Sequence, residues 1–151
     1  MIVEPGIYIG VGMVLSLFLT ETLGVTAGGI IVPGYIAMNL DDPLRVITTF
    51  SISFVVFIII KVFSSFMLIY GKRRLVFALL LGFLFGLLTK NTDNYLDILK
   101  YDFIVIGNII PGLIANWMDR QGVLRTLFTI LITSSVTKLF IMCLSAYQFI
   151  N

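Results

Sequence analysis

Charged residues leave six long stretches of this 151-residue chain almost untouched: Pro5–Thr20, Thr22–Leu40, Val46–Tyr70, Leu75–Thr89, Phe103–Met118 and Thr126–Ile150. The third and sixth each carry a single lysine, Lys61 and Lys138. Stretches this apolar predict membrane-embedded helices, and six of them predict six crossings. The first and fourth hold 16 and 15 residues. At about 1.5 Å per residue they reach roughly 24 Å, short of the ~30 Å hydrocarbon core, so they must borrow flanking residues or thin the bilayer. Gly6 with Gly10, and Gly82 with Gly86, have the small-residue spacing that admits a close neighbour; ordinary glycine abundance in membrane helices explains them equally well.

The stretches pair off across a repeat. GIIVPGYIAMNLD, Gly29 to Asp41, and GNIIPGLIANWMD, Gly107 to Asp119, share seven of thirteen residues at an offset of 78. The expected architecture is one all-α membrane domain, residues 1–151, built from a duplicated three-segment unit over 5–70 and 75–150. If all six stretches cross, each unit crosses an odd number of times and the units are inverted repeats. If the second and fifth are re-entrant instead, the units are parallel; six crossings is the preferred reading.

Each repeat sets a Pro-Gly pair, Pro33-Gly34 and Pro111-Gly112, inside a run too apolar for a surface loop. Proline lacks an N–H and crowds the preceding turn, and glycine tolerates backbone angles that other residues resist, so the pairs are expected to interrupt helices mid-membrane. Backbone groups freed in this way must be satisfied inside the protein. Matched breaks in two halves can build a midplane site from half-helix ends. The alternative is a pair of packed kinks with no ligand.

Composition agrees with a membrane protein: 59% hydrophobic residues and a mean hydropathy of +1.09 exceed what a soluble domain of this length can bury. The first 20 residues lack the basic start and small-residue cleavage site of a leader, so Pro5–Thr20 is expected to be retained. A net charge of +2 without a basic, aromatic-interleaved surface argues against nucleic acid as a partner. Cys143 is the one cysteine, which excludes an intrachain disulfide. With six crossings, Lys72, Arg73, Arg74, Arg120 and Arg125 share one side and Arg45, Lys90 and Lys100 the other. The positive-inside rule then puts the first side in the cytoplasm and the N-terminus outside.

Lys61 and Lys138 hold nearly equivalent places, 77 residues apart. An ammonium at the bilayer centre costs at least about 2.5–3.5 kcal/mol, so both are candidates for cations that face the bundle interior and hold a carboxylate. Snorkelling to the headgroups is the alternative, and for Lys61 so is a helix end near Ser64-Ser65. Glu21 and Asp102 stand at segment boundaries, and Glu21, leading into Thr22-Leu23-Gly24, is the better functional candidate. Thr48, Thr49, Ser51 and Ser53 answer to Thr126, Thr129, Thr133, Ser134 and Ser135, available for hydrogen bonds across helices or for plain packing. Asn91–Tyr101 is the polar linker, and its Tyr95, Leu96, Ile98 and Leu99 suit the membrane interface.

Catalytic chemistry is hard to find. The chain has no histidine, no phosphate-cradling loop, no metal-ligand cluster and no imidazole to activate Cys143, so no catalytic, cofactor-binding or metal residue is assigned. A stand-alone small-anion transporter or channel, and a purely structural scaffold, both fit the duplication.

ETLGVTAG followed by GIIVPGY, the FMLIYGKRR junction, and GNIIPGLIANWMDRQG together resemble the PgsC/CapC family, the small membrane subunit of poly-γ-glutamate synthase, over nearly the whole chain. The resemblance implies a multi-pass protein of the bacterial cell membrane with a part in making capsular or secreted poly-γ-glutamate. In that family the amide ligase activity is attributed to a partner, PgsB/CapB, so ATP and a divalent metal are expected on that partner. A PgsA/CapA-type subunit and further copies of this chain are other candidate partners. The blocks match at Glu21, Gly24, Pro33, Gly34, Tyr35, Pro111, Gly112, Ala115 and Asn116, which with Lys61 are candidates for helix breaks or a polymer path. They match also at Tyr70, Gly71, Arg73 and Arg74, which with Lys72 are candidates for docking the ligase. Lys138 is not part of the family pattern.

Overall fold

The computed structural model describes residues 5–66, 71–93 and 107–150. Tyr70, Asp102 and most of the linker, with the Tyr95, Leu96, Ile98 and Leu99 expected at the membrane interface, lie outside the described residues. The elements are all helical: α1 (Pro5–Leu23), α2 (Val32–Met38), α3 (Pro43–Phe66), α4 (Lys72–Asp93), α5 (Ile110–Gln121) and α6 (Val123–Ile150). Within α3 and α6, Pro43–Ser65 and Val123–Ala146 are long and apolar enough to cross a membrane. The two short stretches do borrow flanking residues: α1 continues to Leu23, and α4 takes in Lys72, Arg73 and Arg74.

The second stretch departs from the expectation. Thr22–Leu40 is not one interrupted helix, because residues 24–31 are non-helical and α2 begins at Val32. Gly28 and Gly29 have φ of 68° and 118°, left-handed angles that bend the chain where another residue would be strained. Both Pro-Gly pairs therefore sit at the start of a helix, and the first follows a non-helical segment. Pro33 and Pro111 sit in the first turns of α2 and α5, where a missing N–H removes no intrahelical bond.

The glycine after each proline makes a backbone crossing. A Cβ on Gly34 would come within 2.7 Å of Ile9 Cα in α1, and one on Gly12 within 2.6 Å of Gly34 Cα. The second copy repeats the contact, with a Cβ on Gly112 falling 2.8 Å from Leu79 Cα in α4 and one on Gly82 falling 2.8 Å from Gly112 Cα. Neither crossing has room for a methyl group on either side. Gly6 and Gly10 face open space, so in α1 the close approach belongs to Gly12 and not to the expected pair, whereas in α4 Gly82 is joined by Gly86 packing on Asn108.

α2 packs on α1 and α6, and α5 on α4, α3 and α6. Val32 and Ile36 of α2 meet Ile110, Ile114 and Met118 of α5, Val46 of α3 and Ile130 of α6 in the main core. Val56, Ile60, Ala78 and Ala115 form a second. The outer surface reverses the usual sorting: Val14, Phe18, Leu124, Phe128 and Leu139 are exposed, while Ser16, Thr49, Ser53, Thr126, Thr133, Ser134 and Thr137 are buried. The hydroxyls were read as available for bonds across helices or for plain packing. Those of Thr49, Ser53, Thr126, Thr129, Thr133 and Ser134 donate to the carbonyl four residues earlier, at 2.6–2.8 Å, and Thr126 Oγ1 also accepts from Gln121 of α5. The local bond lets a hydroxyl donor be satisfied in an apolar surrounding.

Candidate functional site

The non-helical segment 24–31 is tied to the end of α5 by one side chain. Thr26 donates its backbone N–H (3.2 Å) and its hydroxyl (3.1 Å) to Gln121 Oε1, while Gln121 Nε2 donates to the Thr26 carbonyl (2.6 Å) and to Thr126 Oγ1 (3.1 Å). A side-chain amide has the same donor and acceptor as a peptide group, so Gln121 replaces the helical or sheet partner that Thr26 lacks.

This tie borders a cavity of about 390 Å³. Ser16 and Thr20 of α1, Thr26, Gly29, Ile30 and Ile31 of the non-helical segment, Leu75 of α4, and Leu113, Asn116, Trp117 and Arg120 of α5 line it. Asn116 is buried and its Oδ1 has no hydrogen-bond partner. Arg120 lies with its guanidinium carbon 5.5 Å from the Trp117 ring centre. A second cavity, about 240 Å³, is lined by Tyr35, Gly107, Asn108, Ile109 and Ile110 and shares Ile31 and Leu113 with the first. Ile31 and Leu113 thus line both spaces.

Beside the larger cavity the charges gather at one end. Arg74, in the first turn of α4, pairs with Asp119 near the end of α5, and Arg120 is close enough for its charge to act on Arg74. The Gly71 turn and the α5 end therefore share one side, and Lys72 and Arg73 are exposed there.

The sequence candidates distribute unevenly. Asn116 lines the larger cavity and Tyr35 the smaller. Pro33, Gly34, Pro111 and Gly112 are buried at the helix crossings, Ala115 is in the second core, and Glu21 and Gly24 are exposed. Lys61, read as an interior cation, a snorkelling one or one close to a helix end, is exposed, with its ammonium 5.7 Å from the Phe57 ring centre on the same helix. Lys138, the weaker candidate, has a partner, Asp41. Ser16, Thr20, Thr26, Trp117, Arg120 and Gln121 were not singled out from the sequence. The last three stand in the same block as Asn116, and the four-residue step from Asn116 to Arg120 is the signal that one helix face carries both.

The Capsule biosynthesis CapC family model matches residues 11–127. The chain belongs to the CapC family. It is 35% identical to "Capsule biosynthesis protein CapC" of Bacillus anthracis over 127 residues, which cover 83% of this chain and 85% of the relative. Over the same length and shares it is 31% identical to "PGA biosynthesis protein CapC" of Bacillus subtilis (strain 168). No solved structure matches the chain. The CapC match spans both cavities and the whole of the Thr26–Gln121 tie.

Proposed function

We propose that this chain is a non-catalytic, multi-pass subunit of a poly-γ-glutamate synthase complex in the bacterial cell membrane. It docks an ATP-dependent amide ligase and aids synthesis or export of the polymer. Membership of the CapC family, whose members named above carry capsule and PGA biosynthesis in their names, is the observation that carries the reading. ATP and a divalent metal belong on the ligase, and a PgsA/CapA-type subunit is a further partner.

The duplicated, inverted arrangement belongs to this reading. Thr26 meets Gln121, while Tyr35 shares a cavity with Gly107–Ile110, and both contacts support two repeats that run against each other. Matching glycine crossings on α1 and α4 support the duplication. Residues 26–41 accompany α6 from Thr126, through the Gln121 tie, to Lys138, roughly 18 Å of helix. A bent segment and a short helix thus cover part of the ~30 Å hydrocarbon core, with the short helix packed against α1, α5 and α6. Exposed apolar side chains around buried hydroxyls suit a lipid surrounding.

The basic end supports docking, and Lys72 and Arg73, both exposed, are the contact residues; Arg74 is engaged by Asp119. Two cavities that meet at Ile31 and Leu113 support a polymer path through the chain. A tagged chain carrying Lys72→Glu with Arg73→Glu is expected to lose the ligase in a detergent pull-down while remaining in the membrane. Undiminished capture would remove the docking role from this loop.

A further inference from the structure

We propose that the larger cavity binds one γ-linked glutamyl unit, with its amide against Asn116 and its α-carboxylate on Arg120. The choice of ligand rests on the synthase reading; the site rests on the side chains. Asn116 is 3% exposed, lines the cavity, and has a buried Oδ1 with no partner. Buried polar groups are nearly always paired, so an acceptor left open beside a cavity offers a place for a donor carried by a ligand. A carboxylate cannot supply that donor, and an amide N–H can.

The same helix holds the satisfied counterpart. Gln121, five residues on, uses its carboxamide to take both the N–H and the C=O of Thr26. Asn116 carries the same group with its acceptor unused. Arg120 follows Asn116 by four residues, which puts both on one face of α5, and both line the cavity. Arg74 engages Asp119, and Arg120 forms no ion pair among the described residues. Its planar fork suits a carboxylate, and Trp117 backs it.

In a γ-linked unit the amide nitrogen and the carboxylate hang from the same carbon, so the two groups reach Asn116 and Arg120 together. In an α-linked glutamyl unit the carboxylate lies two methylenes further out. The site therefore distinguishes the two linkages.

Trp117 is the one tryptophan of the chain and lines the cavity, so its fluorescence reports occupancy in the purified full chain. Titration with γ-linked triglutamate is expected to give a saturable change. Asn116→Ala and Arg120→Gln should each weaken it about tenfold, and α-linked triglutamate should bind the unaltered chain at least about tenfold more weakly. Arg120 is exposed, so its variant keeps the test decisive if Asn116→Ala perturbs folding. No saturable change, equal binding of both linkages, or full-strength binding by Arg120→Gln would overturn the site. The titration uses this chain alone, so the docking reading can fail without altering it.

Discussion

Gln121 holds Thr26 by both backbone groups, accepting from its N–H and donating to its carbonyl, across 95 residues of sequence. Segment 24–31 follows α1 without helical bonds of its own, and this side chain supplies part of what those bonds would have given. The tie also joins the segment after α1 to the end of α5 at the edge of the larger cavity.

Replacing Gln121 removes that support. Gln121→Leu leaves the Thr26 N–H open in a partly buried place, while the Thr26 carbonyl keeps the Gly28 N–H at 2.9 Å, and is expected to lower stability by about 1–3 kcal/mol. Gln121→Glu keeps the acceptor and loses the Nε2 donor, so it should fall between Leu and the unaltered chain. Thermal unfolding in detergent ranks the three; a Gln121→Leu midpoint equal to that of the unaltered chain would show the tie to be dispensable.

The glycine crossings should be intolerant of a methyl group. Gly12→Ala and Gly82→Ala each drive a Cβ into a facing glycine backbone, and each is expected to cost about 1–3 kcal/mol or to abolish folding. Gly6→Ala and Gly10→Ala meet open space and should behave as the unaltered chain. Yield of monodisperse protein on size exclusion separates the two pairs.

The sequence made the long helices plain, because α3 and α6 fill nearly uncharged runs. It also located both Pro-Gly pairs. It could not show that Thr22–Leu40 divides into an irregular segment and a seven-residue helix. A run without charge looks the same in either form, and the deciding features are the backbone angles at Gly28 and Gly29. Asn116, Thr26 and Gln121 all lie in the matched blocks, but the pairing of Thr26 with Gln121 across 95 residues arises only on folding. Lys61 and Lys138 look equivalent in sequence; their neighbours differ, since Asp41 reaches Lys138 while Lys61 lies along its own helix over Phe57.

Two ion pairs between sequence-distant residues, Arg74–Asp119 and Lys138–Asp41, should differ in weight. Arg74 and Asp119 are each about a fifth exposed, at 20% and 21%, whereas Asp41 is 83% exposed. Asp119→Asn leaves the Arg74 charge poorly compensated and is expected to cost about 1–3 kcal/mol. Asp41→Asn should cost less than about 1 kcal/mol. Unfolding midpoints of the two variants, measured side by side, check the order.

Lys61→Met is expected to leave both ligase capture and polymer output unchanged, because the exposed ammonium lines neither cavity. A drop in secreted poly-γ-glutamate at normal protein level would assign Lys61 a part that its position does not explain.

The central claim is tested most directly by purifying the tagged, otherwise unaltered chain from membranes of its own host and identifying what comes with it. The expected result is an ATP-dependent amide ligase in near-equal amount, in cells whose poly-γ-glutamate output stops when this chain is deleted. A chain that purifies without a ligase, from a host whose polymer output survives the deletion, would contradict the account.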